Sequence, residues 1–356
     1  MECENLLDRE LAHLKESSKE NQVPFMATFE LTPLCNFNCN MCYVHLTPEQ
    51  AKKQGRLLTA EEWLALGRQT AEAGTLRLEL TGGEIFTRPD FLRIYEGLYY
   101  MGFRISLRSN GYSLTEENLA YLKTHKPHYV QITLYGASDA TYQTVCGVRD
   151  GFTVVAGNIA RLQEAGIQFR VSYTETRENT EDYPKCWEWC KEHGLNLRAF
   201  RGLVNPIRSA ERDITAVAMR PTDEECLITE DMRFRSYTPK ADTDRCHGFA
   251  RCRNFGYMYF ISWDGRMMNC NTLTSYWEEP LQSDIATAFH RLLEKLNAVR
   301  RPTECRDCRY YDFCLGCPDK FLSASGDPEK CDEEVCRIAR YNYKQVLLMK
   351  NPEGTP

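Results

Sequence analysis

Several features that would classify a chain at once are missing here. No apolar run approaches the roughly 18 residues that would suggest a membrane span. The N-terminus, MECENLLDRELAHLKESSKEN, is polar and amphipathic. It has no apolar core of the kind an export signal carries. Internal repeats and low-complexity tracts are absent too. Positive charge is not in excess: the formal net charge is -6, which suits a phosphate backbone poorly. Together these absences argue against a membrane protein, a secreted protein and a nucleic-acid partner. They point to the cytoplasm.

What is present is size and sulfur. The chain has 356 residues, 42% hydrophobic and 26% charged, enough for one large domain with an appendage or for two domains. It contains 17 cysteines. An odd count without an export signal speaks against a disulfide framework, and clustered thiols in a reducing compartment favour metal or redox chemistry.

Strand-like and helix-like segments alternate along the first part of the chain. Residues 4–19 read as a short helix with Leu7, Leu11 and Leu14 on one face. Strands are expected at 24–32, 75–81, 103–109, 128–136, 167–174 and 195–202. Helices are expected at 58–74, 88–102, 115–125, 139–145, 151–165 and 180–193. Thr59 with Glu62 makes a capping box, and Gly74 and Gly102 are stop signals. About six β/α units with short connections imply a parallel sheet with helices outside it. Six is short of a closed eightfold barrel, so the expectation is an α/β fold with an open, partial (β/α)6 TIM-like barrel. Residues 203–245 carry weaker signals; 221–226 is a candidate helix start and 236–244 a linker. Residues 255–270 read as a β-hairpin turning at Asp264-Gly265. Residues 285–300 read as an amphipathic helix, and 305–336 as cysteine-dense loop. The expected division is an N-terminal helical extension (1–23), the barrel (24–235), a cysteine-rich domain (236–345) and a tail (346–356).

The run CNFNCNMC places Cys35, Cys39 and Cys42 just after the first strand. Three thiolates can hold three irons of a [4Fe–4S] cube and leave the fourth open to a small molecule. Zinc sites close four ligands instead. The end of a barrel strand is also where barrel active sites lie. The motif resembles the signature of the radical S-adenosylmethionine (SAM) superfamily, with Met41 in place of the common aromatic. That resemblance implies an open iron that chelates SAM. It further implies reductive cleavage to methionine and a 5′-deoxyadenosyl radical, which takes a hydrogen from the substrate. An electron donor such as flavodoxin or ferredoxin is implied as well. Gly82-Gly83-Glu84, at the end of the second strand, resembles the family motif that binds the amino group of SAM. Ser109, Asn110 and Thr133 resemble positions that contact its ribose or carboxylate, and Arg149 is a candidate for the carboxylate.

A second cysteine field follows residue 245: Cys246, Cys252, Cys270, Cys305, Cys308, Cys314, Cys317, Cys331 and Cys336. Such short spacings converge on metal centres more readily than they pair as disulfides. Two zinc-ribbon-like sites are the bland alternative. The field resembles a SPASM domain, with Cys317 one residue early. By that resemblance it carries two auxiliary [4Fe–4S] clusters. Cys252, Cys270 and Cys317, with Cys246 as a possible fourth ligand, would serve the first. Cys305, Cys308 and Cys314, with Cys331 or Cys336, would serve the second. Cys3, Cys146, Cys186, Cys190 and Cys226 receive no role; buried apolar cysteine is the commoner fate.

The combined resemblance implies an enzyme that installs a thioether, C–C or C–O cross-link, or a related change, in a short precursor peptide. Only about two dozen residues precede the first strand, too few for a recognition domain. Leader recognition is therefore expected from a separate protein or from the SPASM surface. The sulfatase-maturing branch has an Asp base after the hairpin's second cysteine. Asn271 stands there in this chain, and an amide cannot take a proton. Alternatives are a SAM-dependent radical dehydrogenase or epimerase of a small molecule, an enzyme like the anaerobic sulfatase-maturing branch and, more remotely, a zinc-stabilised binding protein.

Overall fold

The structure is a computed structural model that describes residues 2–200, 203, 214–218, 245–250, 252, 254–314 and 316–350. The expected helix at 221–226 and linker at 236–244 lie outside the described residues, as does the barrel boundary at 235. The chain divides into two compact units: Met1–Ala218 with Gly256–Leu292, and Met219–Phe255 with Leu293–Pro356.

The first unit opens with helix α1 (Glu2–Glu20) and then alternates strand and helix. The strands are β1 (Met26–Glu30), β2 (Arg77–Thr81), β3 (Arg104–Ser109), β4 (Tyr129–Leu134), β5 (Phe169–Thr174) and β6 (Leu197–Phe200). Helices α2 (Pro48–Gln54), α3 (Ala60–Glu72), α4 (Phe91–Tyr100), α5 (Glu116–Thr124), α6 (Asp139–Cys146), α7 (Gly151–Glu164) and α8 (Tyr183–Glu192) connect them. Neighbours from β1 to β6 all pair in parallel. This is the sheet of a partial (β/α)6 barrel.

The sheet does not stop at β1. Strand β7 (Met258–Ile261) pairs with β1 in parallel, and β8 (Met267–Met268) pairs with β7 antiparallel, so the sheet has eight strands in the order β6-β5-β4-β3-β2-β1-β7-β8. The sequence identifies the hairpin, with Gly265 at φ +94° in its turn. Period-2 patterning cannot tell which edge a distant strand will cover, so the pairing with β1 was not legible.

Local signals explain most helix boundaries. Thr59 and Glu62 form the expected reciprocal capping box of α3. Trp63 and Leu66 of α3 and Ile94 and Leu98 of α4 face the sheet, all fully buried. Burial of each such side chain contributes about 1.5–3 kcal/mol. Helix α2 was missed, although Thr47, Pro48 and Gln50 give it a capping box and a proline in the first turn. It buries Ala51 against Leu46 and Trp263.

Helix α9 (Ile285–Asn297) runs across the point where the chain passes into the second unit. In that unit residues 246–248 run against 299–301: Gly248 N–H donates to Val299 O at 3.0 Å and Arg301 N–H to Cys246 O at 2.9 Å. The stretch 305–336, expected as loop, contains short 3-10 turns at Thr303–Cys305 and Tyr311–Phe313 and helix α10 (Pro318–Ser325). Helix α11 (Glu333–Lys350) then crosses residue 345, where a tail was expected to begin. Cys305, Cys314 and Cys331 pack in one core with Phe321 of α10 and Val335 and Ala339 of α11.

Candidate functional site

The parallel register brings the C-terminal ends of β1 to β5 level: Glu30 faces Thr81, Ser109 faces Ile132, and Thr133 faces Ser172. The loops that leave these ends wall a cavity of about 330 Å³, within the range of small-ligand pockets. Cys35, Cys39 and Cys42 line it, with Gly82, Gly83, Ser109, Asn110 and Thr133. Eight residues singled out in the sequence, from four separate loops or strands, therefore meet in one place.

The cysteine loop is pinned along its length. Asn38 N–H donates to Cys146 O at 3.0 Å and Asn40 N–H to Val145 O at 2.9 Å. The Asn40 side chain donates to Thr144 O at 3.0 Å and to Glu178 Oε2 at 2.8 Å. Phe37 is 2% exposed. Its ring lies 5.4, 6.3 and 6.2 Å from those of Tyr112, Tyr135 and Tyr142. Asn36, Phe37, Asn38 and Asn40 are four of the five residues between the cysteines, and sequence spacing assigned them nothing. An aromatic anchored between two ligands fixes where both sulfurs start.

Three N–H groups point at the sulfurs: Phe37 N–H at 3.4 Å and Asn110 Nδ2 at 3.7 Å from Cys35 Sγ, and His45 N–H at 3.3 Å from Cys42 Sγ. Such donors favour the thiolate and tune a cluster bound to it. Burial nevertheless pushes the Cys35 thiol far above its ordinary value, and a metal bound there would favour the thiolate. Among the described residues no three Cys, His, Asp or Glu side chains converge on a single ion. A cube does not require that, because each thiolate takes a different iron. The donor set fits a [4Fe–4S] cluster: three cysteines around a roomy cavity, N–H donors to sulfur, and polar groups on the far wall.

The glycine pair has a reason of its own. A Cβ on Gly82 would lie 2.5 Å from Thr32 O, and one on Gly83 would lie 2.2 Å from Leu34 O. Gly83 N–H donates to Thr32 O at 2.7 Å and Glu84 N–H to Leu34 O at 2.9 Å. The glycines let the β2 loop lie flush on the β1 loop that leads into Cys35, besides lining the cavity.

Two predicted residues are placed elsewhere. Glu84 is fully buried and its side chain does not wall the cavity. Its carboxylate accepts from Ser109 Oγ at 3.0 Å, Asn110 N–H at 2.7 Å and Phe86 N–H at 3.1 Å. It therefore ties the end of β2 to the end of β3. Desolvation outweighs these donors and pushes its carboxyl up to about 7. Arg149 is exposed, also outside the cavity wall. The cavity's arginine is Arg108, whose Nε donates to the buried Glu79 at 2.7 Å. A strand position one residue before Ser109 was the available signal for it. Asn271 donates to the Tyr43 hydroxyl, and Tyr43 lines the same cavity.

The second unit holds a cavity of about 190 Å³ walled by Cys305, Cys308, Cys314, Cys331 and Cys336. Cys331 Sγ lies 3.2 Å from Cys336 Sγ and 3.6 Å from Cys305 Sγ. Both candidates for the last ligand are thus present, and the geometry keeps both. Burial pushes the Cys331 thiol up to about 11 and the Cys336 thiol up to about 12. Five soft donors in an apolar wall fit an iron–sulfur cluster. Of the other expected set, Cys246, Cys252 and Cys317 belong to this unit and Cys270 to the first. Cys146, Cys186 and Cys190 are buried, as expected of cysteines without a ligand role.

Residues 29–196 match the family model of the radical SAM superfamily. The chain is 26% identical over 339 residues to an AdoMet-dependent heme synthase of Methanosarcina barkeri, covering 85% of this chain and 94% of that protein. It is 26% identical over 360 residues to the PqqA peptide cyclase of Ruegeria pomeroyi, covering 92% and 91%. Among solved structures, Streptococcus suis SuiB bound to precursor peptide SuiA superposes with a TM-score of 0.66 at 14% identity, covering 92% of this chain and 79% of that one.

Proposed function

We propose that this chain, a radical SAM enzyme by its residues 29–196, is a maturase that modifies a short precursor peptide, by a cross-link or a related radical change. When bound, the cluster supplies SAM with the electron that cleaves it, and the resulting 5′-deoxyadenosyl group takes a hydrogen atom from the substrate. Cys35, Cys39 and Cys42 would hold that cluster. Gly82 and Gly83 would offer backbone to the methionine end of SAM, and Ser109, Asn110 and Thr133 would offer hydroxyl and amide groups to its polar atoms. Glu84 would act at one remove, by keeping the Ser109-Asn110 turn in place.

The observation that carries the peptide reading is the second cysteine-lined cavity, in a chain whose barrel already holds a complete cysteine triple. Auxiliary clusters suit a reaction that must dispose of an electron after bond formation. Full-length similarity to a peptide cyclase supports the same substrate class. Flavodoxin or ferredoxin would supply electrons, and a separate protein would recognise a leader. No helix among the described residues is long and apolar enough to cross a membrane. The reducing cytoplasm is the compartment that suits so many thiols.

A second reading, a radical enzyme acting on a small molecule, is favoured by the equally extensive similarity to a heme synthase. Anaerobic incubation with SAM and candidate peptides, read by mass spectrometry, separates the two. Loss of two hydrogens from a peptide alongside 5′-deoxyadenosine formation is the expected result. Unchanged peptide, in ordinary and deuterated water alike, beside turnover of a metabolite would overturn it. Protein that is colourless and binds only zinc would remove both readings.

A further inference from the structure

We infer that Arg301 is the counter-charge of the auxiliary cluster assigned to the second unit, and that it holds that cluster's reduction potential up. The inference rests on the auxiliary-cluster reading above.

Arg301 is 2% exposed. Its main chain is fixed by the hydrogen bond to Cys246 O at 2.9 Å. The guanidinium lies 4.6 Å from the ring centroid of Tyr311 and 6.0 Å from that of Phe321. It borders the five-cysteine cavity. Nη2 reaches Cys314 Sγ at 3.9 Å, while Nε and Nη1 have no hydrogen-bond partner. Among the described residues no carboxylate pairs with it.

A guanidinium cannot shed its proton in a protein. A buried cation with no anion beside it is among the costliest arrangements a fold can contain. Faces of two aromatic rings recover only part of that cost. Groups able to carry negative charge are at hand in the cysteines that wall the same cavity, with Cys314 Sγ at 3.9 Å. As thiols they are neutral; as metal ligands they are thiolates. A cube with four thiolate ligands carries net negative charge, so filling the cavity supplies what Arg301 lacks. The coupling runs the other way as well. A fixed positive charge and N–H donors beside cluster sulfur stabilise the more negative, reduced state and raise the potential.

A purely structural alternative assigns Arg301 to stacking on Tyr311. The test separates charge from shape in a protein whose Cys35, Cys39 and Cys42 are all replaced by alanine, so that only auxiliary clusters remain. Arg301, Arg301→Lys and Arg301→Met forms are reconstituted anaerobically. Iron and sulfide are measured, and the clusters are titrated by electron paramagnetic resonance. The signal of interest is the one that Cys305→Ala removes.

Arg301→Met is expected to lower the midpoint of that signal or to lose that cluster's iron. Arg301→Lys is expected to keep the cluster, with a midpoint nearer the parent. Full iron and an unmoved midpoint in Arg301→Met would overturn the inference. So would Arg301→Lys behaving like Arg301→Met, which would assign the role to the planar stack. A parent protein that takes up zinc and no iron would overturn the cluster reading itself, before any Arg301 variant is compared.

Discussion

The barrel and the second unit each gather cysteines around a cavity, but they hold them differently. In the barrel the cysteine loop is bonded to residues distant in sequence: Asn38 and Asn40 to the end of α6, and Gly83 to Thr32. Phe37 sits inside a ring of tyrosines. None of these contacts needs metal. In the second unit the cysteines are themselves core residues, packed with Phe321, Val335 and Ala339. Bonds around them close short 3-10 turns, such as Cys308 N–H to Cys305 O at 3.4 Å and Cys314 N–H to Tyr311 O at 3.1 Å. The barrel shapes its site before metal arrives. The second unit is therefore expected to need metal to complete its core.

The comparison can be broken in several ways. The largest expected effect is on activity. Cys39→Ala should abolish SAM cleavage, measured as 5′-deoxyadenosine released, while the thermal midpoint of the first unit stays where it was. A midpoint that falls with the activity would deny the barrel its independence from metal. Next, Cys314→Ala or chelation should destabilise the second unit by several kcal/mol, because binding a structural metal is folding free energy. Hydrogen exchange should then rise across 303–346 and leave β1–β5 protected. Uniform protection in both units would erase the contrast.

Phe37→Ala should cost about 3–5 kcal/mol, as for other buried aromatics. It should also reduce iron uptake by the barrel although no ligand is touched; denaturant midpoints and iron content check both. The smallest effect concerns Glu84. Its carboxyl is raised in the folded state from 4.5 to about 7. Below the unfolded value both states are protonated and burial costs nothing. As pH climbs from the unfolded value to about 7 the unfolded carboxyl ionises while the buried one does not, so stability falls by ~3 kcal/mol in all and then levels off. Denaturation of metal-free protein against pH should show this slope, and Glu84→Gln should flatten it. Parallel slopes would mean that Glu84 ionises freely.

Much of the barrel could be read from residues alone. Alternating periods, Thr59 with Glu62, and glycines after helices located the six β/α units, because those signals act within a few residues. The cysteine triple and the glycine pair were legible for the same reason. What escaped depended on partners far along the chain. Glu84 was read as a ligand group because a carboxylate after two glycines suits an ammonium; only the fold shows Ser109 and Asn110 occupying it. Arg149 was named and Arg108 was not, because sequence does not show which arginine lines a cavity. Helix α10 spans only eight residues, and α11 starts inside the cysteine-dense stretch that reads as loop.

Strand β7 has a practical consequence. It comes after residue 250 yet covers the flank of β1. A fragment that keeps β1 but stops at residue 196, the end of the matching family region, would leave that flank bare. Unpaired N–H and C=O groups along a strand that is normally buried invite pairing between copies. Anyone expressing the catalytic barrel by itself should expect insoluble protein unless residues 256–270 are carried along or the β1 edge is otherwise capped.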